Sequence, residues 1–181
     1  MKTEEITRSP QIIVLGVGNL LLRDEGLGIR VLELLGQRYR FPDNVSLEDG
    51  GVLGIHLLGT ITRADYLIVI DAIKNGQPPG TLYRLKGEDI PQRILAKNSL
   101  HEIDLLEALT LCHAFDKVPD TVILGIEPHD IETISLDLTP VVKDKLEELL
   151  DMVLEELKNL GIEPIEKIEK EHFKYVSCDP C

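Results

Sequence analysis

At 181 residues, 43% hydrophobic and 28% charged, the chain has the length and composition of one soluble globular domain with a sizeable core. Nineteen basic residues against 32 acidic ones leave a net charge of −13, which argues against nucleic acid and acidic membrane surfaces as partners. Much of that charge lies in the last helix and the tail, where a solvated face accounts for it as readily as a basic partner segment does.

Residues 1–10 are polar and are expected to fray. Ile12 to Leu15 is a short apolar run and reads as a buried strand. Ile12 to Leu22 has the apolarity of a signal-peptide core, but Glu4 and Glu5 spoil the flank such a peptide needs and no small-residue cleavage site follows. Gly16 and Gly18 allow a tight turn. Leu27, Val31, Leu34 and Leu35 recur at helical spacing, so a helix is expected from near Asp24 or Glu25 to near Tyr39, before Pro42. Val45 to Glu48 reads as a second strand closed by Asp49-Gly50-Gly51, and Ile55, Leu57 and Leu58 suggest a short helix up to Arg63. Tyr66 to Ile70 is apolar throughout, as a central parallel strand covered on both faces would be, with Asp71 at its carboxyl end.

Asn75 to Gly80 is a turn containing Pro78 and Pro79, and Thr81 to Leu85 alternates like an antiparallel edge strand. Residues 86–98 are irregular and contain Pro91. Ser99 and Glu102 then form a capping box, and Leu105, Leu109 and Cys112 line the buried stripe of the helix that follows. Thr121 to Ile126 reads as the last strand and ends in Glu127-Pro128. Thr139 and Pro140, as N-cap and N1, open a final helix lined by Val142, Leu146, Leu149, Val153, Leu157 and Leu160 and stopped by Gly161. Residues 1–163 are therefore expected to form a single domain and residues 164–181 a mobile tail. Alternating strands and helices predict a three-layer α/β/α sandwich around a twisted, mainly parallel sheet of about five strands. No segment reaches the length of a membrane span. The cysteines Cys112, Cys178 and Cys181 form no disulfide framework, so a reducing cytoplasm is expected.

In an open α/β sheet, ligands sit at the carboxyl ends of the strands. Gly16-x-Gly18 is two thirds of a dinucleotide fingerprint, but Leu21 stands where the third glycine belongs, and Asp24 and Glu25 would repel a phosphate. Glu48 or Asp49 is placed where a ribose-binding acid would lie, and this keeps a nucleotide-binding enzyme as the least favoured alternative. Glu25, Asp49 and Asp71 follow the carboxyl ends of the first three strands. His101 falls in the first turn of a helix that the long loop can return to the same edge. One Glu, one Asp and one His in a crevice suit a borderline divalent cation such as nickel or zinc. Each has a plainer reading. Asp71 caps the next helix, Glu25 complements a helix dipole, His101 is a surface residue, and Asp49 fixes its Asp-Gly-Gly turn. Standard protease machinery is absent: there is no G-x-S-x-G elbow, and His101-Glu102-Ile103-Asp104-Leu105 fails the H-E-x-x-H pattern. Cys112 reads as an inert core thiol, which leaves carboxylates to activate water on a polarised carbonyl.

Gly16-Val17-Gly18-Asn19-Leu20-Leu21-Leu22-Arg23-Asp24-Glu25-Gly26-Leu27-Gly28 resembles the opening motif of the hydrogenase maturation endopeptidases, which trim the large subunit of [NiFe]-hydrogenases. Asp49-Gly50-Gly51, Ile70-Asp71-Ala72 and Ser99-Leu100-His101 stand in that family's order, and the resemblance spans roughly residues 11–163. It implies an aspartic-type endopeptidase that cuts a C-terminal peptide from a [NiFe]-hydrogenase large-subunit precursor after nickel insertion. In that reading Glu25, Asp71 and His101 contact nickel supplied by the precursor, a site that cadmium or zinc can also fill. One carboxylate is the general base, and Asp49 is a further acidic residue near the cleft. The alternative is a non-catalytic, nickel-sensing chaperone for the same precursor. A monomer is expected. Cys178-Asp179-Pro180-Cys181 reads as half a zinc site, a redox pair or exposed thiols on a mobile tail. It also echoes the end of the hydrogenase large subunit.

Overall fold

A computed structural model describes residues 8–51, 54–87, 90 and 118–167. Strand β1 (Ile12–Val17) leads through a 3-10 turn (Arg23–Gly26) into helix α1 (Leu27–Arg38) and the two-residue strand β2 (Tyr39–Arg40). Strand β3 (Val45–Gly51), helix α2 (Gly54–Ile61), strand β4 (Tyr66–Ala72), strand β5 (Leu82–Lys86) and strand β6 (Asp120–Ile126) follow. The described chain closes with helices α3 (Pro140–Lys143) and α4 (Leu146–Asn159) and strand β7 (Ile165–Glu166).

The main sheet has five strands in the order β3-β1-β4-β6-β5. The pairs β1–β3, β1–β4 and β4–β6 are parallel, and β5 joins β6 antiparallel at the edge. The three-layer, mainly parallel sheet expected from the alternation of elements is therefore present. Its two faces carry separate cores because both sides of each central strand are covered. Ile12, Val14, Ile68, Ile70 and Leu124 pack on one face with Val31 and Leu35 of α1 and Leu149, Val153 and Leu157 of α4. Ile13, Leu15, Val17, Leu67, Val69 and Ile123 pack on the other face with Ile61 of α2. Side chains alternate across a strand, so a run without a polar residue is what two buried faces require. Each such aliphatic side chain, fully buried, stabilises the fold by about 1.5–3 kcal/mol.

Several elements depart from the sequence reading. Asp24 and Glu25 do not open α1; they belong to the 3-10 turn before it. Strands β3 and β4 run on through Asp49 and Asp71, which are strand residues and not the first residues beyond a strand. The final helix is broken at Asp144 and Lys145 into α3 and α4. Val142 and Leu149, seven residues apart across the break, are both fully buried, so the apolar stripe survives it. Thr121–Ile126 is not the last strand either, since β7 pairs antiparallel with β2, and Lys167 N–H donates to Arg38 O at 2.7 Å. Among the described residues no helix is long and apolar enough to cross a membrane. The capping box at Ser99, the helix expected after it and the Cys-x-x-Cys tail lie outside the described residues.

Candidate active site

The chain leaves β1 through α1 to reach β3 on one side and returns through α2 to β4 on the other. Adjacent strands whose connections run opposite ways leave a crevice at their carboxyl ends, and in this sheet it lies between β1 and β4. Two glycines close the approach to it. Gly18 has φ +129°, and a Cβ there would lie 1.8 Å from Glu25 O. A Cβ on Gly28 would lie 2.3 Å from Ile70 O and 2.5 Å from Val17 O. With only hydrogen at both positions, the start of α1 seats directly on the ends of β1 and β4, and the 3-10 turn carrying Glu25 packs against β4, which carries Asp71.

Asp71 is 6% exposed, and its Oδ1 accepts the Ala72 N–H at 2.7 Å. Glu25 is half-buried, with Oε2 closed off from solvent and its N–H donating to Leu22 O at 3.0 Å. The fold thus brings Glu25 and Asp71 to one crevice. Asp49 lies on β3, in register with Gly16 and across β1 from Asp71. It is exposed, and its Oδ1 accepts the Gly51 N–H at 2.8 Å, the bond that fixes the Asp-Gly-Gly turn. Gly18 N–H in turn donates to Gly51 O at 2.9 Å, tying the ends of β1 and β3 together. His101 lies outside the described residues. Among the described residues no three His, Cys, Asp or Glu side chains are grouped to hold a metal ion. Glu25 and Asp71 offer carboxylate oxygens alone, a donor set that reaches borderline-cation chemistry only with a nitrogen ligand added.

Two carboxylates that the sequence reading passed over hold this edge in place. Asp24 is fully buried. Its Oδ2 accepts the His129 and Asp130 N–H groups at 2.9 and 3.0 Å, and its Oδ1 accepts the Thr139 N–H at 2.7 Å. Asp24 therefore serves to anchor the 129–139 segment, and the Thr139 hydroxyl donates to Asp24 and not to its own helix. Glu127, 3% exposed just beyond β6, accepts the Tyr83 hydroxyl and the Asn75 and Gly76 N–H groups, at 2.7–2.9 Å for Asn75 and 2.9 Å for Gly76. Burial pushes its pKa up, but the Tyr83 hydroxyl and the N–H groups of Asn75, Gln77 and Gly76 outweigh it and hold the carboxyl below its ordinary value. An acid directly after the run Val122–Ile126, which holds no polar side chain, at the ligand-bearing edge of a sheet, is the signal that could have found Glu127. Asp24 stands between Arg23 and Glu25, and nothing in that charged stretch sets it apart from its neighbours.

A profile of the family described as "HycI: Hydrogenase maturation protease" matches residues 29–156. The chain belongs to the hydrogenase maturation protease family. Among curated relatives, the hydrogenase 2 maturation protease of Escherichia coli K12 is 40% identical over 157 residues, covering 86% of this chain and 95% of that protein. The hydrogenase expression/formation protein HoxM of Azotobacter vinelandii is 40% identical over 156 residues, covering 85% of this chain and 75% of that one. The solved structure of the hydrogenase maturating endopeptidase HybD from E. coli superimposes with a TM-score of 0.83 at 38% identity, over 87% of this chain and 98% of that one. The family's endopeptidase activity in hydrogenase maturation is the activity these relatives support.

Proposed function

We propose that this chain is the endopeptidase that removes the C-terminal extension of a [NiFe]-hydrogenase large-subunit precursor once nickel has been inserted. The observation that carries the reading is the convergence of Glu25 and Asp71 on the β1–β4 crevice in a member of this family. Glu25, Asp71 and His101 touch the precursor's nickel, which enters as part of the substrate, so the enzyme needs no resident metal; cadmium or zinc can stand in for it. Either Glu25 or Asp71 takes a proton from water as its oxygen adds to the scissile carbonyl carbon. The same carboxyl then passes the proton to the departing amine nitrogen, and the C–N bond breaks to give a new carboxylate and a free amine. Asp49 supports the crevice from β3 by holding the turn after it.

The test is a processing assay on the cognate precursor, nickel-loaded and nickel-free, read by intact mass. Loss of the C-terminal peptide in the nickel-loaded tube alone is expected, and Glu25→Gln, Asp71→Asn and His101→Ala are each expected to abolish it with melting temperature unchanged. A full-activity triple variant would overturn the site assignment. Binding without cleavage in either tube would replace the peptidase reading with that of a chaperone.

A further inference from the structure

Six large apolar side chains are exposed among the described residues, and three of them lie on two segments that backbone hydrogen bonds join. Leu21, Ile134 and Leu136 are 58%, 82% and 60% exposed. Leu22 and Ser135 form an isolated parallel bridge, with Ser135 N–H donating to Leu21 O at 2.9 Å and Arg23 N–H donating to Ser135 O at 3.0 Å. These bonds set Leu21 beside Ser135, whose chain neighbours are Ile134 and Leu136. Leu21, Ile134 and Leu136 therefore form a single apolar patch, carried in part by the segment that leads into Glu25.

The patch does not belong to a loose loop. Asp24 takes hydrogen bonds from His129, Asp130 and Thr139, Arg23 pairs with Asp130 at 3.2 Å, and Arg30 donates to Leu136 O at 3.1 Å. Asp130 is held strongly in its charged form by the Thr133 hydroxyl, by the Thr133 and Glu132 N–H groups and by Arg23. A segment without regular structure, anchored along its length yet holding Ile and Leu in water, is preorganised for a contact that buries them. The segment itself carries only acidic charge: residues 130–138 include Asp130, Glu132 and Asp137 and no Lys, Arg or His, and with Arg23 paired to Asp130 the carboxylates left at its rim are Glu132 and Asp137.

We propose that Leu21, Ile134 and Leu136 form a docking surface for the precursor, and that it receives an apolar precursor segment flanked by Lys or Arg. The proposal rests on the peptidase reading for the identity of the partner. The patch adjoins the turn that carries Glu25, so a precursor held there presents its cleavage segment to the crevice. The acidic rim, on a chain of net charge −13, selects basic flanks and rejects acidic ones.

The test compares wild type, the double variant Ile134→Ser/Leu136→Ser and Ile165→Ser. The last removes an apolar side chain that is 69% exposed on β7, away from the patch. Precursor affinity is measured at low and moderate salt beside cleavage by intact mass. The patch variant is expected to lose at least about tenfold in affinity and to show a raised KM with kcat within about twofold, while Ile165→Ser matches wild type. Wild-type affinity is expected to fall as salt rises. Wild type that binds but does not cut, with binding lost in the patch variant, would end the peptidase reading and leave the surface standing. Cleavage and affinity equal to wild type in the patch variant would end the surface and leave the peptidase reading standing. A wild-type dimer that the patch variant converts to monomer would assign the patch to a second copy of this chain and overturn the proposal. Failure of wild type to bind the precursor would overturn both.

Discussion

Asp24 and Thr139 stand 115 residues apart and are joined through both the main chain and the side chain of the threonine. The Thr139 N–H donates to Oδ1 at 2.7 Å, and its hydroxyl lies 2.9 Å from Oδ1 and 2.8 Å from Oδ2. Both residues are buried, at 0% and 2% exposure. A carboxylate costs much to bury unless its oxygens are filled, and here main-chain donors from two directions fill them. Asp24→Ala would leave several of those donors without an acceptor and is expected to cost about 3 kcal/mol or more in urea unfolding. Thr139→Val removes one donor and is expected to cost about 1–2 kcal/mol. In a double-mutant cycle the two should couple by more than about 0.5 kcal/mol; strict additivity would mean the contact does not act as a unit.

Gly28 and Gly59 should respond oppositely to the same substitution. A Cβ on Gly28 meets main-chain oxygen at 2.3 and 2.5 Å, atoms that cannot move aside without shifting β4 or β1. Gly28→Ala is therefore expected to lose about 1–3 kcal/mol and most processing activity, because the turn bearing Glu25 is pushed off Asp71. Gly59 sits in α2 with nothing within 4 Å of a new Cβ. Gly59→Ala should raise the melting temperature through a gain of about 0.5–1 kcal/mol.

Acid should weaken the Glu127 anchor in a definite direction. Its carboxyl titrates below the ordinary value of 4.5 in the folded state, so the unfolded chain binds the proton more readily. The stabilisation is fully present above pH 4.5 and is lost as pH falls from there through the folded value. Tyr83→Phe removes a donor that lowers the pKa and should flatten the fall in unfolding free energy between about pH 5 and pH 3. An unchanged slope would mean that the backbone donors of Asn75, Gln77 and Gly76 do the work alone.

Asp49 can be assigned by a pair of substitutions. If its task is to accept the Gly51 N–H, Asn retains an oxygen at that position and Ala does not. Asp49→Asn is expected to process precursor within about twofold of wild type, and Asp49→Ala to lose about 1 kcal/mol of stability. A loss beyond about a hundredfold in Asp49→Asn, with melting temperature intact, would place this carboxyl in the chemistry.

The strands were legible because their burial pattern is written in composition. Tyr66 to Ile70 carries no polar residue, and β4 is buried on both faces. The approach of α1 to the sheet was only half legible: Gly16 and Gly18 announced a tight turn, but nothing marked Gly28 as facing Ile70 O. The roles of Asp24 and Glu127 were not legible. Their partners are main-chain groups of loops distant in sequence, and any residue type can supply an N–H. The break at Asp144 left no mark in the apolar spacing either, since Val142 and Leu149 keep the stripe across it. Glu25 and Asp71 were read from strand order plus family resemblance, and the crevice between β1 and β4 follows from the same order.

The pairing of β7 with β2 bears on how the protein can be handled. Helix α1 starts at the crevice and runs 12 residues, about 18 Å, to Arg38, where Lys167 is bonded. Gln11 enters β1 at the same amino edge, its N–H held by Asp65 at 2.7 Å. The described chain is therefore entered and left on the side turned away from Glu25 and Asp71. A surface-bound enzyme, anchored to a resin or sensor chip at either of these points, would stand with its crevice facing outward into the flow of substrate.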